Sequence, residues 1–129
     1  MSSTAILIAD NHELFRRGVP SLPEFQPDCS VCDEAADGVE AVEKAKRLRP
    51  HVVFLDFSMQ RMDGIEVNRI IRREVTDSQV VLAGQKDPAT VSRQAAEAGA
   101  DGCVDEARIA VDVVPTIKNI VGIVGISVP

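Results

Sequence analysis

Four apolar runs, each breaking into a polar turn, constrain this chain more than anything else in it. Val52-Val53-Phe54-Leu55 stops at Asp56, Ala5 to Ala9 stops at Asp10-Asn11, Val80 to Ala83 runs into Gly84-Gln85, and Gly102-Cys103-Val104 runs into Asp105-Glu106. The runs are nearly continuous rather than alternating, as strands covered on both faces are. Helical patterns lie between them, and that alternation implies a parallel sheet. In a parallel sheet the four endings share one carboxyl edge, where open α/β folds bind ligands.

The spacing predicts strands near residues 4–9, 29–34, 52–55, 79–83 and 102–104. A helix from Asp37 to Leu48 puts Val39, Val42 and Ala45 on one side, with Glu40/Lys44 and Glu43/Arg47 as i,i+4 pairs on the other, and Pro50 stops it. From Gly64 to about Arg73 the apolar face is Val67, Ile70 and Ile71. The next helix is bounded by Asp87 as cap, Pro88 in the first turn and Gly99 past the end, with Val91, Ala95 and Ala98 inward. A last helix, from about Arg108 to Val121, carries Val111, Val114, Ile117 and Val121 at helical spacing, with Pro115 in its second turn. A helix after Asn11-His12, with Leu14, Phe15 and Val19, is expected to be short or broken, because Pro20 and Pro23 follow and an interior proline costs about 3 kcal/mol.

A chain of 129 residues with 45% hydrophobic content builds one core and one domain. Its net charge of -6 and pI near 4.8 argue against direct nucleic-acid contact by this segment, since such affinity comes largely from cations neutralising phosphates. No basic-then-apolar leader and no membrane-length apolar stretch is present, so a cytoplasmic protein with no membrane association is expected. Cys29, Cys32 and Cys103 are expected to be reduced thiols. Cys29 and Cys32 have C-x-x-C spacing, but in a strand positions i and i+3 face opposite sides, and His12 and His51 fall in unrelated segments, so neither zinc nor redox chemistry is expected.

The motifs Ile6-Leu7-Ile8-Ala9-Asp10-Asn11-His12, Glu34-Ala35-Ala36-Asp37-Gly38, Arg49-Pro50-His51-Val52-Val53, Asp56 with Met59 and Met62-Asp63-Gly64, and Ala98-Gly99-Ala100-Asp101-Gly102 resemble the receiver domain of two-component response regulators. The resemblance is to the group whose receivers precede a LuxR-type helix-turn-helix, and it runs from about residue 5 to 121. It implies a flavodoxin-like (βα)5 fold, a doubly wound parallel five-stranded sheet of order 2-1-3-4-5. It also implies that Asp56 accepts a phosphoryl group from a histidine kinase or phosphotransfer protein. Asp10 matches the first of the family's two acidic residues, Asn11 stands at the second, and Ser58 matches the position whose backbone carbonyl helps hold Mg2+. Mg2+ suits such a site because it takes oxygen ligands in octahedral geometry and keeps several waters.

The chain departs from the family where the phosphorylated state is sensed. Asn11 supplies a neutral carbonyl where a carboxylate is usual, so weaker Mg2+ binding is expected. The hydroxyl position is Gly84, the aromatic switch position is Cys103, and the lysine position is Glu106. At an effective dielectric near 20, two unit charges 5 Å apart interact by roughly 3 kcal/mol, so Glu106 for lysine opposes phosphorylation by several kcal/mol before screening. Gln60 replaces a loop proline.

Two readings follow: a receiver that accepts phosphate on Asp56, weakly or atypically, and a phosphorylation-independent pseudo-receiver acting as an interaction module. Neither is a turnover enzyme, and no glycine-rich phosphate loop or nucleophile-base pair supports a third, enzymatic class. A homodimer is open in both. Residues 1–122 are assigned to the receiver and 123–129 to a tail or the start of a connection to an effector domain. Asp63 and Asp101 are expected in turns, His12 as a helix-start residue rather than a base, and Met59 with Met62 packed under the loop.

Overall fold

The computed structural model describes residues 4–12, 16, 18, 29–84, 87–105, 112, 115–117 and 119. Five strands form one sheet: β1 (Thr4–Ala9), β2 (Cys29–Ala35), β3 (Val52–Asp56), β4 (Gln79–Gly84) and β5 (Gly102–Asp105). Their order is β2-β1-β3-β4-β5 and every pairing is parallel. Each matches an expected strand to within a residue at its end. β2 carries an irregularity: Ile6 pairs with Val31 and Leu7 with Asp33, so Cys32 is skipped as a bulge, exposed on the edge strand, while Cys29 is buried. All three cysteines are free.

The continuous apolar runs reflect two buried faces. Leu7, Ala9, Val53, Leu55, Val80 and Leu82 belong to one layer, and Ile6, Ile8, Val52, Phe54, Val81 and Ala83 to the other, which is the two-residue alternation of a strand. The first layer is closed by α1 (Gly38–Leu48), α2 (Gly64–Glu74) and α3 (Pro88–Ala98) through Ala41, Val42, Ala45, Val67, Ile71 and Ala95. Ile117 packs into the second.

The helix starts are set by carboxylate caps. Asp37 accepts from the Glu40 N–H at 2.9 Å, Asp63 from that of Glu66 at 3.0 Å, and Asp87 from that of Thr90 at 3.1 Å. Gly99 ends α3 at φ 78°. The face of α1 differs from the expected one: Ala41 is fully buried where Val39 was expected, so the inward stripe is Ala41, Val42 and Ala45. Lys44 pairs with Glu40 as expected, at 3.3 Å, whereas Arg47 turns to Asp33 at 3.6 Å. On α2, Val67 and Ile71 are buried, Ile70 is half-buried, and Asn68 shares the buried face by donating to the Ala98 carbonyl at 2.7 Å.

At both ends less can be compared. Arg16 and Gly18 are helical, and the Arg16 N–H donates to the His12 carbonyl at 3.1 Å; Leu14, Phe15, Val19, Pro20 and Pro23 lie outside the described residues. So do the bounds expected for the last helix, of which Asp112 and Pro115 to Ile117 are described as helical, and the tail 123–129. Among the described residues no helix is long and apolar enough to cross a membrane.

Candidate functional site

The register of β1, β3 and β4 fixes the site. Ala9 pairs with Leu55 and Asp56 with Ala83, so Asp10, just past β1, and Asp56, the last residue of β3, emerge beside each other at the carboxyl edge. Both are buried, Asp10 at 0% and Asp56 at 3% exposure. Each carboxylate has one oxygen held locally and one left over. Asp10 Oδ1 accepts from the His12 N–H at 2.8 Å and lies 2.9 Å from His12 Nδ1, and Asp56 Oδ1 accepts from the Ser58 N–H at 3.0 Å. Asp10 Oδ2 and Asp56 Oδ2 are buried and have no hydrogen-bond partner among the described residues.

Two buried carboxylates with unpartnered oxygens are a costly arrangement unless a proton or a cation joins them. Burial pushes the Asp56 carboxyl above the usual carboxylate range; the Ser58 N–H opposes this, the neighbouring Asp10 charge adds to it, and His12 opposes it more weakly. One ligand atom from each of Asp10, His12 and Asp56 lies within 4.8 Å of the others, close enough to hold a metal ion. The donor set fits a divalent cation, since the two orphaned oxygens are what such an ion would satisfy.

His12 starts a helical turn as expected, its carbonyl accepting from the Arg16 N–H at 3.1 Å, and its ring also sits against Asp10. The signal was an aspartate and a histidine two apart at a strand end, opposite a second strand-end aspartate.

The other candidates fall around this pair. Asn11 and Ser58 are exposed and flank it. Gly84 ends β4, is buried, and pairs with Asp105. A Cβ on Gly84 would lie 2.9 Å from Phe57 Cδ2 and 2.9 Å from Val91 Cγ2, so the ring of Phe57 and the first turns of α3 occupy the room a side chain there would need. Phe57 is itself pinned: its N–H donates to the Ala83 carbonyl at 3.0 Å, and its carbonyl accepts from the Gly64 N–H at 3.0 Å. A cavity of about 360 Å³ opens beside it, lined by Phe57, Ser58, Asp63, Ile65, Gly84, Val91 and Gln94. Cys103 is half-buried on β5, paired with Leu82 and packed against the first core layer. Glu106 lies outside the described residues.

The loop after β3 is shaped by close approach. A Cβ on Gly64 would come within 2.5 Å of the Asp56 carbonyl oxygen, so only glycine lets α2 start directly against the end of β3. Met59 is buried in the core and Met62 packs against it, as expected. Asp63 caps α2, and Asp101 Oδ2 accepts from the Val80 N–H and from Arg72, both at 2.8 Å.

Comparison with known proteins gives a consistent answer. The model of the response regulator receiver domain matches residues 6–107. The transcriptional regulatory protein LiaR of Bacillus subtilis is 42% identical over 77 residues, 60% of this chain and 36% of LiaR. The nitrate/nitrite response regulator NarP of Escherichia coli is 36% identical over 97 residues, 75% of this chain and 45% of NarP. The chain thus spans less than half the length of either relative. Among solved structures, a LuxR-family two-component response regulator from Aurantimonas superposes with a TM-score of 0.83 at 29% identity, covering 92% of this chain and 85% of that one. The response regulator domain of Thermotoga maritima CheB gives 0.82 at 25% identity, covering 92% and 96%. Sheet order, acid pair and family match agree, and the chain belongs to the response regulator receiver domain family.

Proposed function

We propose that Asp56 accepts a phosphoryl group from a histidine kinase or phosphotransfer protein, and that the phosphorylated state is thinly populated and is not relayed through residue 84. The observation that carries this reading is the pair of buried, unpartnered oxygens, Asp10 Oδ2 and Asp56 Oδ2, on neighbouring strand ends. A divalent cation, Mg2+ by family resemblance, would be held by Asp10 and Asp56 with Asn11 and the Ser58 carbonyl nearby, and would offset charge on the incoming phosphoryl group. Asp56 supplies the attacking oxygen, and the Ser58 N–H on Oδ1 fixes the orientation of its carboxylate. Asp10, fully buried, brings a second carboxylate beside Asp56 and so strengthens the pocket's demand for a cation.

Downstream, the usual hydroxyl is replaced by the Gly84 and Phe57 contact, and Asn11, Cys103 and Glu106 stand where the family has an acid, an aromatic residue and a lysine. The domain is an acceptor rather than a turnover enzyme. It would act in the cytoplasm, with residues 1–122 as the receiver, and since LiaR is a transcriptional regulatory protein of greater length, the whole protein would regulate transcription through a further domain. A homodimer fits the same role. Incubation with a small phosphodonor and Mg2+ should add one phosphoryl mass to the chain, and Asp56→Asn should abolish it. Absence of any adduct at high donor concentration would refute acceptance.

The packing at Gly84 also favours a second reading, an interaction module that works without phosphate. It predicts that Asp56→Asn leaves partner binding or dimerisation unchanged, and a large change in affinity would end it.

A further inference from the structure

We propose that His12 is the third protein donor of the cation site and shifts its preference from Mg2+ toward borderline ions such as Mn2+ and Zn2+. The inference deepens the function proposed above and rests on its cation site. Donors bound about 2.1 Å from one ion stand roughly 3 Å apart when adjacent and 4.2 Å when opposite, and the donor atoms of Asp10, His12 and Asp56 already lie within 4.8 Å of one another. The two carboxylates present buried oxygens with no partner among the described residues, an independent sign that the pocket is built for something positive. The His12 backbone N–H holds Asp10 Oδ1 at 2.8 Å, and the ring Nδ1 rests 2.9 Å from the same oxygen, a contact that coordination of an ion through Nδ1 would replace.

Donor chemistry then sets the ion. Asn11 offers no charge where a third carboxylate would favour a hard cation, whereas an imidazole nitrogen suits first-row transition ions. The ring is more than half exposed, at 58%, so it can turn a nitrogen toward an ion without disturbing the core. A neutral ring that coordinates through Nδ1 keeps its one proton on Nε2.

The chain has two histidines, and His51 serves as an internal control, its Nδ1 accepting the Ala5 N–H at 2.9 Å. Proton NMR of the whole chain during a Zn2+ titration should move the His12 ring signals and leave those of His51 in place. Calorimetric titration should show Mn2+ and Zn2+ binding about tenfold or more tighter than Mg2+, and His12→Ala should weaken Zn2+ about tenfold while Mg2+ changes less than about twofold. His12→Gln, which keeps a polar side chain, should behave like His12→Ala. If ions bind and depend on Asp56 while the His12 signals stay still and both His12 variants bind normally, the inference is wrong and the cation site stands. If no divalent ion binds, or Asp56→Asn binds as well as the parent, the cation site fails and this inference with it.

Discussion

Putting the family's hydroxyl back at residue 84 should destabilise this protein. The Gly84 backbone has no left-handed φ that would demand glycine, so Gly84→Thr is a test of volume. Carbon atoms normally meet at about 3.5–4.0 Å. A Cβ here would sit 2.9 Å from both Phe57 Cδ2 and Val91 Cγ2, and 3.3 Å from Phe57 Cε2, before threonine's two further heavy atoms are added. Overpacking of this kind costs about 1–3 kcal/mol. Removing a strand glycine returns about 0.5–1 kcal/mol, so the net loss should be about 1–2 kcal/mol. Half-buried Phe57 can escape by swinging outward, which relieves the clash but gives up its packing, so the cost persists either way. Urea unfolding of the parent, Gly84→Thr, Phe57→Leu and the double variant measures it. The double variant should be more stable than the sum of the single losses by about 1 kcal/mol, because each change accommodates the other. Additive losses, or a Gly84→Thr variant as stable as the parent, would show that the ring does not fill this position. The same packing means that adding Glu106→Lys and Asn11→Asp to Gly84→Thr should not rebuild a relay while Phe57 keeps its ring.

Other consequences are open to direct measurement. Because burial raises the Asp56 pKa, the folded state binds a proton more readily than the unfolded one between the ordinary carboxylate range and the raised value, so stability from this group falls as pH rises through that window. Asp56→Asn should therefore melt higher than the parent near neutral pH, and the advantage should shrink as the pH is lowered; a constant advantage would contradict it. Gly64→Ala, which drives a Cβ to 2.5 Å from the Asp56 carbonyl oxygen, should cost about 2 kcal/mol or more in denaturant unfolding, since backbone on both sides must give way. Asp101→Ala strands the N–H of fully buried Val80 and releases Arg72, and should cost about 1–3 kcal/mol in the same assay.

Much of the fold is legible in the sequence for a physical reason: a strand buried on both faces must be apolar throughout, so each run and its polar stop mark a strand and its carboxyl end. Asp87, Pro88 and Gly99 bracket α3 because caps act locally and need nothing from the rest of the chain. The inward face of α1 was less legible. Alanine carries little hydrophobic signal, so Ala41 lost to Val39 on pattern, although the close packing of α1 favours the smaller residue. Buried Asn68 gave no sign because its partner, the Ala98 carbonyl, is distant in sequence.

At the site, Asp10 and Asp56 could be read as neighbours from their place at strand ends. The place of the His12 ring could not, since it depends on a turn that folds the ring back onto Asp10. The reason Gly84 is a glycine was equally hidden: it lies in the ring of Phe57, adjacent in space and 27 positions away in the chain.

We propose a phosphoryl acceptor at Asp56 whose state stays local. Its most direct test is the amide NMR spectrum of the isotopically labelled chain with Mg2+, before and after beryllofluoride, the phosphoryl mimic used on the receiver domain of RcsB from Salmonella enterica. Shifts are predicted for Asp10, His12, Asp56 and Ser58, fading before Val91 to Ala98 of α3 and Gly102 to Asp105 of β5. Large shifts throughout α3 and β5 would show that the signal travels despite Gly84, and no shift at Asp56 would show that there is no acceptor.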